Sequence, residues 1–89
     1  MRRAAKRDKN EPEIVSALKQ AGAHVWQISA PGVPDLLVSF RNETFLLETK
    51  ARHGKLTDEQ IIFFETWTGG AVAIVRSIDD ALRAIGAID

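Results

Sequence analysis

The chain has no cysteine, only three prolines and a formal net charge of zero over its 89 residues. The missing cysteines exclude disulfides and any thiolate metal site. The zero balance argues against a protein that coats nucleic acid by bulk charge alone. No apolar run approaches the length of a membrane span, and the basic N-terminus is not followed by the apolar segment of a secretory signal. The expected compartment is therefore the cytoplasm. There are no internal repeats, linkers or low-complexity tracts. No serine or threonine nucleophile motif occurs, and no phosphate-binding P-loop. The two histidines, His24 and His53, are not spaced as a metal pair, and neither lies in a ligand motif with a carboxylate; His53 belongs to the "ARHGK" loop and is expected in solvent.

What the chain does contain is an ordinary hydrophobic share, 45%, sufficient for one small domain with a single core. Charge is unevenly placed. In "MRRAAKRDKN" the five basic residues Arg2, Arg3, Lys6, Arg7 and Lys9 against Asp8 give +4, which leaves −4 on the remainder. Residues 1–9 are thus either a solubilising, frayed terminus or a basic arm for phosphate, and residues 10–89 form the folded domain.

Element signals follow in order. Asn10 as N-cap, Pro12 in the first turn and Gly22 as terminator predict a helix from about Glu11 to Ala21. "HVWQIS" (24–29) alternates as a strand, "APGVP" is a turn, "DLLVSF" (35–40) is a second strand, "RNE" (41–43) a tight hairpin connection and "TFLLETKA" (44–51) a third strand. A helix over about 58–68 starts in a capping box, Thr57 with Gln60, and stops at Gly69-Gly70. "AVAIVR" (71–76) is a short inner strand, and Ser77 caps a last helix, 78 to about 85. The order αβββαβα predicts an α/β fold, a small mixed sheet flanked by helices.

Within "TFLLETKA", side chains two apart share a face, so Glu48 and Lys50 point the same way at the end of an apolar strand. Alone this is an ion pair. Asp35, at the start of the neighbouring strand, lies at the same open end of the hairpin, away from its turn. Two carboxylates leaving a core repel each other and suffer desolvation, and one lysine compensates only one of them. A hard divalent cation, held by carboxylate oxygens and completed by water or phosphate, fits that arrangement. Helical phase adds Glu11: at about 100° per residue it falls in the middle of the Ile14, Val15, Leu18, Ala21 stripe, aimed at the sheet, whereas Glu13 faces solvent.

"EPEIVSALKQAGA", "GVPDLLV", "FLLETK" and "KLTDEQ" together resemble the PD-(D/E)xK nuclease superfamily, and within it the stand-alone VRR-NUC domain; the chain is also similar to archaeal-type Holliday junction resolvases. The likeness runs from about Asn10 to Gly86. It implies a restriction-endonuclease-like fold and Mg²⁺ or Mn²⁺ as cofactor. Asp35, Glu48 and the backbone carbonyl of Thr49 would be metal ligands, and Glu11 would assist the metal or its water. Lys50 would orient or help deprotonate the attacking water and steady the developing charge. Gln60 matches the glutamine of the helix after the ExK strand and serves as cap, as active-site member, or as both. The arginine pair of the family's name is reduced here to Arg76 followed by Ser77, and Arg76 either faces DNA phosphate or simply ends a strand.

The resemblance implies a DNA endonuclease leaving a 3′-hydroxyl and a 5′-phosphate. The small surface argues for selection by DNA shape, a four-way junction or a flap, over base reading. Arg52 and Lys55 flank the expected site and, with Arg76 and the basic arm, are the candidate DNA contacts. Ile61, Ile62, Phe63, Phe64 and Trp67 surround nearly the whole 58–68 helix, which predicts a homodimer through it, with Ile62 at the interface. The competing readings are a catalytically inactive DNA-binding module and a nickase subunit that requires a partner protein.

Overall fold

The computed structural model describes residues 8–89. Helix α1 (Glu11–Gln20) is followed by strands β1 (His24–Gln27), β2 (Leu36–Phe40) and β3 (Glu43–Thr49), helix α2 (Asp58–Thr66), strand β4 (Ala71–Val75) and helix α3 (Ile78–Ala84). The order agrees with that expected from the sequence, and most elements are shorter than expected. The strands form one sheet in the order β1-β2-β3-β4, so β4, expected as an inner strand, is an edge strand, and of its apolar residues only Val75 is buried. β1, β2 and β3 are an antiparallel meander; β4 lies parallel to β3. A parallel neighbour requires a crossover, and the segment carrying α2 supplies it. No helix among the described residues is long and apolar enough to cross a membrane.

Local chemistry explains the element ends. Gly22, at φ +102°, terminates α1, with Ala23 N–H donating to the Leu18 carbonyl, the closure that a left-handed residue after a helix permits. The β2–β3 connection is tighter than the expected Arg41–Glu43. Only Arg41 and Asn42 form the turn, at φ 51° and 70°, and Glu43 already pairs with Phe40. Two left-handed residues match the twist of a two-residue hairpin. Ser77 accepts from Asp80 N–H and caps α3 as expected. Helix α2 ends at Thr66, short of the expected Thr68, because Trp67 turns to an extended backbone and its indole N–H donates to the Gly70 carbonyl at 2.9 Å.

One expectation holds in position and fails in chemistry. Asn10 stands at the N-cap position, but its side chain makes no capping bond. Its Nδ2 donates instead to the carbonyls of Lys50 at 3.1 Å and Arg76 at 3.2 Å. The residue that was to begin α1 locally ties that beginning to the exits of β3 and β4.

The core lies on one face of the sheet. Leu36, Val38 and Phe40 of β2 and Phe45 and Leu47 of β3 pack with Ile14 and Leu18 of α1 and with Ala81 and Ile85 at α3. The alternation that builds this face sends Leu37 and Leu46 to the other. Helix α2 stands outside the core: none of its residues is buried. Its start rests near Gly32, which adopts φ +79° and where an added Cβ would come within 3.1 Å of the Glu59 Cβ.

Candidate functional site

The β2–β3 register pairs Leu36 with Leu47. One step further, Asp35 comes opposite Glu48 at the open end of the hairpin, as the sequence predicts. Glu48 is only 1% exposed. Its Oε2 accepts from Gln60 Nε2 at 3.1 Å and lies 3.7 Å from Lys50 Nζ. Its Oε1 is buried with no hydrogen-bond partner among the described residues. The pKa of Glu48 is pushed up to about 8, first by burial, then by the negative charge of Asp35 and by a hydrogen bond with Asp35 that favours the protonated form; Lys50 pulls the other way, and Asp8 adds a smaller upward push. As a carboxylate Glu48 leaves Oε1 without a donor; as an acid it gives Asp35 a hydrogen bond. Near neutral pH the pair therefore holds a proton where two ionised carboxylates would repel.

Behind the pair lies a second layer on the α1 side of the sheet. Thr49 is fully buried. Its N–H donates to Asp35 Oδ2 at 2.9 Å, and its hydroxyl sits 2.9 Å from the same oxygen and 3.1 Å from Glu11 Oε1. A hydroxyl has one proton to donate, so it bridges the two carboxylates rather than satisfying both. Glu11 is 1% exposed, while Glu13 is exposed, as helical phase requires. Glu11 Oε2 accepts from Gln27 Nε2 at 2.9 Å. Glu11 thus meets Asp35 through Thr49, one residue removed from the Glu48 side chain.

Gln60 forms the expected cap and also reaches Glu48. Its Oε1 accepts from Thr57 N–H, its own N–H donates to Thr57 Oγ1, and its Nε2 reaches Glu48. The first turn of α2 and the carboxylate site share one side chain.

The expected DNA contacts divide. Arg52, His53 and Lys55 are exposed in the loop after β3, and Lys9 is exposed ahead of α1. Arg76 is partly buried and spends Nη1 on the Ala51 carbonyl at 2.8 Å and the Gly54 carbonyl at 2.7 Å. It shapes the loop that presents Arg52. Arg2, Arg3, Lys6 and Arg7 lie outside the described residues.

Four contributions were not expected from the sequence: those of the Thr49 hydroxyl, the Gln27 amide, the Asn10 amide and Asp8. Thr49 had a usable signal. Strand alternation turns it away from Glu48, toward the face where the phase of α1 aims Glu11. The other three depend on distant contacts that leave no local pattern.

A cation suits the donor set in one respect and not in another. The pair offers oxygen ligands of the type hard divalent ions take, and Glu48 Oε1 is an orphaned buried acceptor. Among the described residues, however, no group of three or more His, Cys, Asp or Glu is arranged to hold a metal. Two carboxylates and a backbone carbonyl leave the remaining positions to water or phosphate, an arrangement that Mg²⁺ accepts. No family model matches the chain, and no curated protein matches it.

Proposed function

We propose that this chain is a restriction-endonuclease-like, metal-dependent endonuclease that hydrolyses DNA phosphodiester bonds. The observation that carries this reading is Glu48: a buried carboxyl beside Asp35 and Lys50 that, once ionised, leaves one oxygen without a donor. Burial of a carboxylate without a donor is costly, and a cation between Asp35 and Glu48 would remove the cost. The residues that would hold it are Asp35, Glu48 and the Thr49 carbonyl. Mg²⁺ or Mn²⁺ bound there would supply an acidified water and neutralise phosphate charge.

The chain's own groups divide the remaining work. Lys50, with its side chain 13% exposed, sets a positive charge beside Glu48 where charge would develop on the phosphate. Gln60 holds Glu48 Oε2 in place. Glu11 and Thr49 hold Asp35 from behind. Arg52 and Lys55 would meet the DNA backbone. The small domain favours selection by shape, a four-way junction or a flap, in the cytoplasm. Helix α2, with Ile61 39%, Ile62 57% and Trp67 41% exposed, supports a homodimer through that helix.

The test is a cleavage assay on a four-way junction, a flap, a splayed arm and a linear duplex, each with Mg²⁺, Mn²⁺ and EDTA. Metal-dependent cleavage is expected, and Asp35→Asn or Glu48→Gln should abolish it in a folded protein. Substantial cleavage by either variant would remove the assignment.

A further inference from the structure

One row of side chains crosses the sheet on the face away from α1. Trp26, Leu37, Leu46 and Val72 are register neighbours from β1 to β4. Exposure falls along it, from 65% at Trp26 to 37% at Leu37 and 9% at Leu46. The helices explain the gradient. On the core face α1 and α3 pack together over the sheet. On the other face α2 is the only helix among the described residues, and it stands toward β3 and β4. It is their crossover, and its Gln60 reaches Glu48, which alternation sets on the same face as Leu46. A shallow groove of about 250 Å³, with Pro31, Val33, Ile62 and Phe63 in its walls, marks the boundary of that cover. Beyond it β1 and β2 carry no helix, and Trp26 and Leu37 lie bare.

Helix α2 has the complementary surplus. Gln60 and Phe64 share its inward side, and Ile62, on the opposite side, is 57% exposed. The dimensions agree. A helix of 9 residues is about 14 Å long and about 10 Å across. Strands of 4 and 5 residues make a patch about 13–17 Å long and about 10 Å wide. Charge selects the arrangement. The helix carries Asp58, Glu59 and Glu65 and no base, whereas β1 and β2 carry no acid. The outer side of one α2 laid on that of another opposes like charges, at a cost in affinity; laid on β1 and β2 it does not.

We propose that the outer side of α2 docks on the bare β1–β2 face of a second copy of this chain, with Ile62 against Trp26 and Leu37. The pairing rests on the homodimer through α2 and names the surface that receives the helix; it does not depend on nuclease chemistry. About a twofold axis along the strands, each α2 lies between its own β3–β4 and the partner's β1–β2. The contact is then made twice, and the pair closes. Because α2 runs back along β3 toward the start of β4, the same axis brings Glu65 to the end of the partner's sheet at which β1 begins, where His24 is exposed.

The test is sedimentation of the full chain over the micromolar range. The wild type should be a dimer, and a wild type that stays monomeric overturns the proposal. Leu37→Lys and Ile62→Glu should each give a folded monomer by circular dichroism. Trp26→Lys, at a more exposed side chain, replaces Leu37→Lys if that variant fails to fold. Leu37→Lys and Ile62→Glu are then mixed in equal amounts, at a concentration where neither associates with itself. They should form a heterodimer, because one of its two contacts is wild-type and the other sets the new carboxylate against the new ammonium. An interface of α2 on α2 would leave Leu37→Lys dimeric, and one of sheet on sheet would leave Ile62→Glu dimeric. Either result overturns the proposal, as does a mixture that remains monomeric. Complementation by a protein that cleaves no DNA in any metal would keep the pairing and remove the nuclease reading; cleavage by a wild type that stays monomeric would do the reverse.

Discussion

Glu48 titrates in an unusual direction for a carboxylate, and its pH signature follows. Its folded pKa of about 8 stands above the ordinary 4.5. Between those values the unfolded chain has lost the proton and the folded one retains it, so stability must fall as pH rises from about 4.5 to about 8 and level off beyond. Most carboxylates contribute the opposite slope. Urea unfolding of metal-free protein across this range should show the decline, and Glu48→Gln should flatten it; a metal-free wild type with no decline would remove the buried acid. A cation must displace the same proton. Mg²⁺ titration by calorimetry in buffers of differing ionisation enthalpy should therefore release about one proton near neutral pH and little well above the folded pKa. Thr49 gives a second residue-level expectation. Thr49→Val removes the hydroxyl between Asp35 and Glu11 and leaves buried oxygens short of a donor, at about 1–3 kcal/mol. Thr49→Ser should recover most of that loss in denaturant melts, and a valine variant as stable as wild type would make the bridge dispensable.

At the scale of elements, α1 carries the sharpest distinction. Glu11 and Glu13 are chemically alike and two positions apart, yet one is 1% exposed and the other lies in solvent. Cleavage by Glu11→Gln should fall strongly, while Glu13→Gln should be close to wild type; the reverse result would break the link between Glu11 and the site. This distinction was legible in the sequence because the apolar stripe of Ile14 and Leu18 fixes the phase of the helix. The pairing of Asp35 with Glu48 was legible for a similar reason: the hairpin turn and the period of two set its register. Asn10 was not. Its two acceptors lie 40 and 66 residues away in sequence, and a capping residue with the same letter has no local mark to distinguish it. Arg76 escaped in the same way, since its partners are loop carbonyls whose positions follow only from the closed fold. Helix α2 stops two residues early because the bond from Trp67 to Gly70 competes with another helical turn.

At the scale of the molecule, two surfaces remain to be matched with partners. The apolar side of α2 predicts that Ile62→Glu, which would set a charge against an apolar partner at a cost of several kcal/mol, yields a folded monomer in sedimentation that no longer makes paired cuts in a four-way junction. A wild type that sediments as a monomer at micromolar concentration and still makes paired symmetric cuts would remove α2 as the interface. Deleting residues 1–7, which carry Arg2, Arg3, Lys6 and Arg7 and no acid, should weaken DNA binding and make its salt dependence shallower by about 0.9 for each phosphate the arm had neutralised. Asp8 must be retained, because its carbonyl accepts from Glu11 N–H; an unchanged salt slope would mean that the arm does not touch DNA. The position of Gln60 then has a consequence for when the site is competent. Helix α2 buries none of its residues, and elements with little burial are the first to open. Each time its first turn frays, Glu48 loses the amide of Gln60. If a second copy clamps α2, that fraying is suppressed, and assembly then works as a licence: on the nuclease reading a solitary chain would meet DNA with a loosened carboxylate and cut more slowly than a paired one. Deuterium uptake over residues 57–66 should accordingly slow with protein concentration in step with the rate of cleavage.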